Sequence, residues 1–152
     1  MLVCETPADL AAHAGRLLGT SDWIRIPQSD VNAFAALTSD QQWIHVDVER
    51  AGRELPEGKT IVHGYLLLAM LPAMFRTIYE VRQRRQAINY GMNKVRFITP
   101  VKVGVRLRLH TRLVSAEDIA GGGLRFIFEQ TVEIEGAAKP ALVAETIVAM
   151  YS

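Results

Sequence analysis

Residues 61–75 read IVHGYLLLAMLPAMF, the longest uncharged apolar stretch of the chain. From Tyr65 to Phe75 the apolar side chains fall on every side of a helix, so one long helix here must be enclosed on most sides. A membrane span needs about 20 apolar residues in a row, and His63, Gly64 and Pro72 interrupt this shorter run. A buried helix is the expectation. Pro72 lies well inside it and removes one backbone bond, which predicts a bend or a tightened turn. The exit, RTIYEVRQRRQ (76–86), is charged and solvated.

From Ile88 onward the period changes to two. VRLRLHTRL (105–113) puts Val105, Leu107, Leu109, Thr111 and Leu113 on one face of a strand, and Arg106, Arg108, His110 and Arg112 on the other. LRFIFEQTVEIE (124–135) alternates too, with Arg125, Glu129, Glu133 and Glu135 among its outer residues. Gly121-Gly122-Gly123 turns between them. A basic outer face beside an acidic one predicts an antiparallel hairpin. ALVAETIVAMY (141–151) is apolar on both faces apart from Glu145 and Thr146, as in an interior strand. One enclosed helix followed by long strands predicts an α+β fold, a curved antiparallel sheet wrapped around one long central helix. Its edge strands are places where a second copy could pair.

Upstream, Thr6 and Pro7 open a predicted helix whose apolar positions run from Leu10 to Leu18, with Gly19 as its stop. SDWIRIP (21–27) reads as a short strand, and Ser29 or Asp30 is expected to cap a short helix over VNAFAALT (31–38). VDVERAGREL (46–55) reads as a polar helix closed by Pro56 and Gly58. No internal repeat or linker divides the chain, so residues 1–152 are read as one domain.

Between these helices lies TSDQQWIHVD (38–47), an irregular excursion with an acid and an imidazole on either side of Trp43-Ile44. A bend at Ser39 to Gln42 could bring Asp40 and His45 to one point, where the two would move protons together. On spacing alone the plainer reading prevails: a surface loop whose Asp40 caps a turn and whose His45 is simply packed. The His63-Gly64 pair opens the apolar helix, where backbone N–H groups lack partners and the dipole is positive. That position suits a thioester oxygen gaining charge, though tight packing explains a glycine there equally well. His63 could orient a ligand, but a satisfied core histidine is the simpler role. Asn89, Tyr90 and Asn93 fall near the expected pocket mouth, as ligand contacts or, with more weight, as turn formers. The basic run at 82–85 could meet phosphates or simply be solvated. The histidines stand too far from other ligand types in the sequence to argue for a metal.

The bulk numbers exclude little else. With 49% apolar and 22% charged residues and a net charge of +1, the chain reads as a soluble globular protein with no pull toward nucleic acid. Its single cysteine, Cys4, excludes an internal disulfide and a cysteine metal cluster, and fits a reducing cytoplasm. The N-terminus has no basic flank before an apolar run and is not read as a secretory signal.

FAALTSDQQWIHVDVERA (34–51), followed by TIVHGYLLLAMLP (60–72), resembles the MaoC-like dehydratases, the (R)-specific enoyl-CoA hydratases of hotdog fold. QWIH with the later INYGMNKVRFITPV (88–101) is most similar to the nodulation protein N branch, and the resemblance covers roughly residues 25–150. The family motif is T-G-D-x-N-P-x-H with a downstream H-G. Its acid falls on Asp40, its histidine on His45 and its oxyanion donor on the Gly64 backbone. Ser39 stands where the glycine usually precedes the acid, and Gln42-Trp43 replace Asn-Pro. The resemblance implies hydration of a trans-2-enoyl thioester, on CoA or a carrier, to the (R)-3-hydroxyacyl thioester, or the reverse. It implies no cofactor, no membrane and a homodimer. The acyl chain would pass Tyr65 and Leu68. A non-catalytic acyl-binding or heterodimer subunit is the alternative, and a hotdog thioesterase a weaker third.

Overall fold

The computed structural model describes all residues, Met1–Ser152. Six strands form one antiparallel sheet in the order β2-β6-β7-β8-β5, with β3 also on β6. Their ranges are β2 Leu17–Thr20, β3 Ile24–Arg25, β5 Gln86–Phe97, β6 Arg106–Ile119, β7 Gly123–Ile134 and β8 Leu142–Tyr151. A separate parallel pair joins β1 (Leu2–Cys4) to β4 (Tyr79–Val81). Helices α1 (Pro7–Ala11), α2 (Gln28–Thr38), α3 (Trp43–Val46), α4 (Val48–Glu54), α5 (Gly64–Ala69) and α6 (Leu71–Phe75) fill the connections. No helix is long and apolar enough to cross a membrane.

The predicted hairpin is β6–β7. Leu107, Leu109, Leu113, Phe126, Phe128 and Val132 are buried on its inner face. On its outer face Arg108 makes two hydrogen bonds to Glu133, Arg106 meets Glu135 at 2.7 Å, and Arg112 lies opposite Glu129. Trp23 lies under the guanidinium groups of both Arg106 and Arg108. Hydrogen bonds from Arg108, and then from His110, hold the Glu133 carboxyl below its ordinary range. Gly121 and Gly122 turn the chain with φ of 82° and 74°, which glycine adopts without strain. Strand β8 is interior, between β7 and β5.

Several expectations need correction. The central helix is two pieces. Pro72 cannot donate to the Leu68 carbonyl, so α5 ends at Met70, whose N–H bonds Leu66 O and Leu67 O, and Pro72 becomes the first turn of α6. The helix is also covered on only one side: Leu66, Leu67, Leu71 and Met74 are buried, whereas Tyr65 is 72% exposed. A single sheet of one chain has only one concave face to offer, and it leaves the other side of the helix open. The opening helix stops at Ala11, and Leu17–Thr20 forms β2, because β6 offers it an edge to pair with. Helix α2 begins earlier than expected, after Pro27, and has no side-chain cap from Ser29 or Asp30. Asn89 and Tyr90 sit within β5 rather than in a turn, and Asn93 bonds Glu145 at 2.6 Å. Arg82 of the basic run pairs with Glu5. Cys4 is buried, and burial pushes its thiol up.

Candidate active site

Helix α2 ends at Thr38, and Ser39 takes the left-handed conformation (φ 61°, ψ 14°) that reverses the chain and presents Asp40. This is the conformation that a glycine adopts freely at a helix end, and it explains why a glycine belongs before the acid. Ser39→Gly is therefore expected to raise stability by about 1 kcal/mol, since a left-handed non-glycine residue costs roughly that much. Urea unfolding would measure it; an unchanged or lower midpoint would show that Ser39 is unstrained.

The segment after the bend is more ordered than the sequence implies. Gln42 leads into the single turn of α3, which carries His45. Trp43 and Ile44 are half-buried, and the Arg50 guanidinium covers the Trp43 ring at 4.1 Å. His45 is 8% exposed. Its Nδ1 donates to the Ile61 carbonyl at 2.6 Å, and the Ile61 N–H returns a bond to Ile44 O. Gln28 Nε2 donates to the His45 carbonyl at 2.8 Å, and the Thr60 hydroxyl holds Gln28 Oε1. With Nδ1 committed as a donor, a neutral ring carries its free lone pair on Nε2.

The acid and the imidazole do meet. The Asp40 carboxylate and ring nitrogens of His45 and His63 all lie within 4.8 Å of one another. A shared metal is a poor fit for the three. Two imidazoles on one ion each hold it near the ring plane at about 2.1 Å, but these rings are stacked, 3.8 Å between centroids and 23° between planes. Such planes do not converge within a bond length. A water between Asp40 and His45 meets no such constraint.

Gly64 is the first residue of α5, so its N–H has no acceptor within the helix. A Cβ at this position would come within 3.1 Å of the Phe97 ring, so the glycine allows that ring to pack closely on it. A cavity of about 240 Å³ reaches His45 and Gly64, with Leu67, Phe97 and Pro100 among its walls. A second, apolar cleft of about 350 Å³ runs between the open side of the helix and the β5–β8 edge, past Tyr65, Leu68, Pro72, Phe75, Asn89 and Thr146. Phe97 lines the first space and Tyr65 the second, and the two rings meet edge to face at 6.2 Å.

The candidate residues thus separate. Asp40 lies beside His45 and His63, His45 and Gly64 share the smaller cavity, and Tyr65 and Asn89 line the adjoining cleft. Tyr90 stands on the exposed edge strand, 65% accessible, and lines neither space. His63 lines neither, is 1% exposed and bonds the Asp40 carbonyl. Gln28, Thr60 and the Ile61 carbonyl, which orient His45, went unread in the sequence. Gln28 and Thr60 carry no motif, and every residue has a carbonyl.

Comparison with known proteins shows the family. The family model described as "MaoC like domain" matches residues 9–125. The chain is 52% identical over 148 residues to 3-hydroxyacyl-thioester dehydratase Z of Mycobacterium tuberculosis, covering 97% of each. It is 42% identical to nodulation protein N of Rhizobium leguminosarum bv. viciae over 92% of this chain and 88% of that one. Among solved structures, the unliganded R-hydratase PhaJ1 from Pseudomonas aeruginosa superposes with a TM-score of 0.69 at 23% identity, covering 95% of this chain and 84% of that one.

Proposed function

The chain belongs to the MaoC-like dehydratases, and from that premise we propose that it adds water to trans-2-enoyl thioesters, giving (R)-3-hydroxyacyl thioesters, or runs the reverse dehydration. The observation that carries the proposal is the meeting of Asp40 and His45 beside a cavity that also reaches Gly64. The thioester carbonyl oxygen sits on the Gly64 N–H, which takes up enolate charge as it develops. One water lies between the two side chains. The Asp40 carboxylate accepts one of its O–H bonds and orients it. His45 Nε2 takes its other proton as the oxygen adds to C3, and imidazole is the side chain best suited to that exchange near neutral pH. The proton held on His45 then passes to C2, so the pair ends as it began. The acyl chain extends into the apolar cleft past Tyr65 and Leu68.

The open side of the helix and the unpaired edge of β5, where Ile88, Tyr90, Met92 and Phe97 are exposed, favour a homodimer built along that edge. A cytoplasmic setting fits a soluble acyl-thioester substrate.

Incubation of the purified protein with crotonyl-CoA tests the reaction. Loss of the enoyl absorbance without release of free thiol is the expected result. Release of thiol would mean hydrolysis. Neither change, across a panel of enoyl-CoA chain lengths, would leave a binding or heterodimer subunit as the better reading.

A further inference from the structure

We infer that His63 is a positioning residue for the acid, holding the Asp40 loop from inside the protein; this rests on the Asp40–His45 reading above. The His63 side chain is 1% exposed. Its Nε2 bonds the backbone carbonyl of Asp40 at 3.0 Å. Nδ1 is buried with no partner, so the neutral ring carries its proton on Nε2 and donates it to that carbonyl. The ring cannot turn freely, because His45 stacks on it at 3.8 Å and Phe34 closes at 5.1 Å.

Asp40 needs such a hold. It is exposed, it follows the left-handed Ser39, and its own N–H reaches Thr38 Oγ1 only at a long 3.4 Å. The His63 bond ties this bend to the segment that opens α5. The Gly64 N–H belongs to the peptide that joins His63 to Gly64. One residue therefore sets the acid's position relative to the proposed oxyanion donor. Displacing a reacting group by as little as 1 Å can cost about 10²-fold in rate.

The test separates the donor from the ring. His63→Phe keeps a flat ring and loses the N–H; His63→Gln places an N–H near the Nε2 position and loses the ring. Both are measured on the intact protein with crotonyl-CoA, alone and combined with Asp40→Asn, alongside thermal unfolding. His63→Phe is expected to lower kcat by roughly 10²-fold with little change in KM. His63→Gln should recover most of that loss, and His63→Phe should cost nothing further once Asp40 is Asn. Near-normal kcat in His63→Phe, equal losses in both variants, or a loss that multiplies with that of Asp40→Asn would each overturn the proposal. Should His63→Phe fail to fold, His63→Gln decides. A folded, active His63→Gln supports the proposal; a folded inactive one, or one that does not fold with its donor in place, overturns it. A near-normal rate in Asp40→Asn alone would instead remove the reading on which the proposal rests.

Discussion

His45→Ala and Asp40→Asn are each expected to fold normally and to hydrate crotonyl-CoA about 10²- to 10⁴-fold more slowly than the unaltered protein, the usual worth of a positioned proton-transfer group. Asp40 is exposed, so exchanging its carboxylate for an amide of the same shape disturbs no core. It replaces an acceptor with a donor at the point where the water must be held. His45→Ala removes the Nε2 lone pair and also leaves the Ile61 carbonyl without its side-chain donor. The latter change costs on the order of 1 kcal/mol of stability, too little to unfold a domain of ordinary stability. Far-UV circular dichroism and a thermal melt distinguish a folded, slow enzyme from a damaged one. Near-normal turnover in either variant would take that residue out of the chemistry.

Phe126→Ala is expected to have the largest effect on stability, a loss of about 3–5 kcal/mol. Phe126 is fully buried on β7 and begins a row of rings that crosses from the sheet to the helix. Its centroid lies 6.0 Å from Phe128, Phe128 lies 5.7 Å from Tyr79, and Tyr79 lies 6.1 Å from Phe75 at the end of α6. Removing the first ring of the row leaves a void on the buried face of the sheet, and a close-packed interior relaxes only partly to fill it. A domain whose total stability is roughly 5–15 kcal/mol loses a large share of it. Urea unfolding measures the change from the midpoint. A loss under about 1.5 kcal/mol, the size of a tolerated apolar swap, would mean that Phe126 is not closely packed in the core.

The sheet was legible because its signals are local. Alternation, strict in 105–113 and looser in 124–135, with three glycines between, specifies two faces and a turn, and opposite outer charges specify which strand lies beside which. The helix ends were less legible. Leu17-Leu18 looks helical beside the opening segment, and only the distant edge of β6 makes it a strand. The position of Pro72 announced a disturbance, but the site of the break, at Met70, depends on which carbonyl loses its donor. Enclosure of the helix was overestimated because the composition of a helix does not record how many of its faces the sheet of one chain can cover.

The proximity of candidate residues was more legible than their supports. Asp40, His45 and Gly64 were named from residue type, spacing and family resemblance; the fold sets Asp40 beside His45 and His45 on one cavity with Gly64. The bond from His63 to the Asp40 carbonyl, and that from His45 to the Ile61 carbonyl, join residues 23 and 16 positions apart through backbone atoms that leave no trace in a sequence.

The central claim is that Asp40 and His45 act on the same water, and a double-mutant cycle on kcat/KM for crotonyl-CoA hydration tests it most directly. Groups that work as one unit lose their function together. Asp40→Asn combined with His45→Ala should therefore be about as slow as the slower single variant. Losses that multiply in the double variant would place the two side chains in independent steps and contradict the shared water.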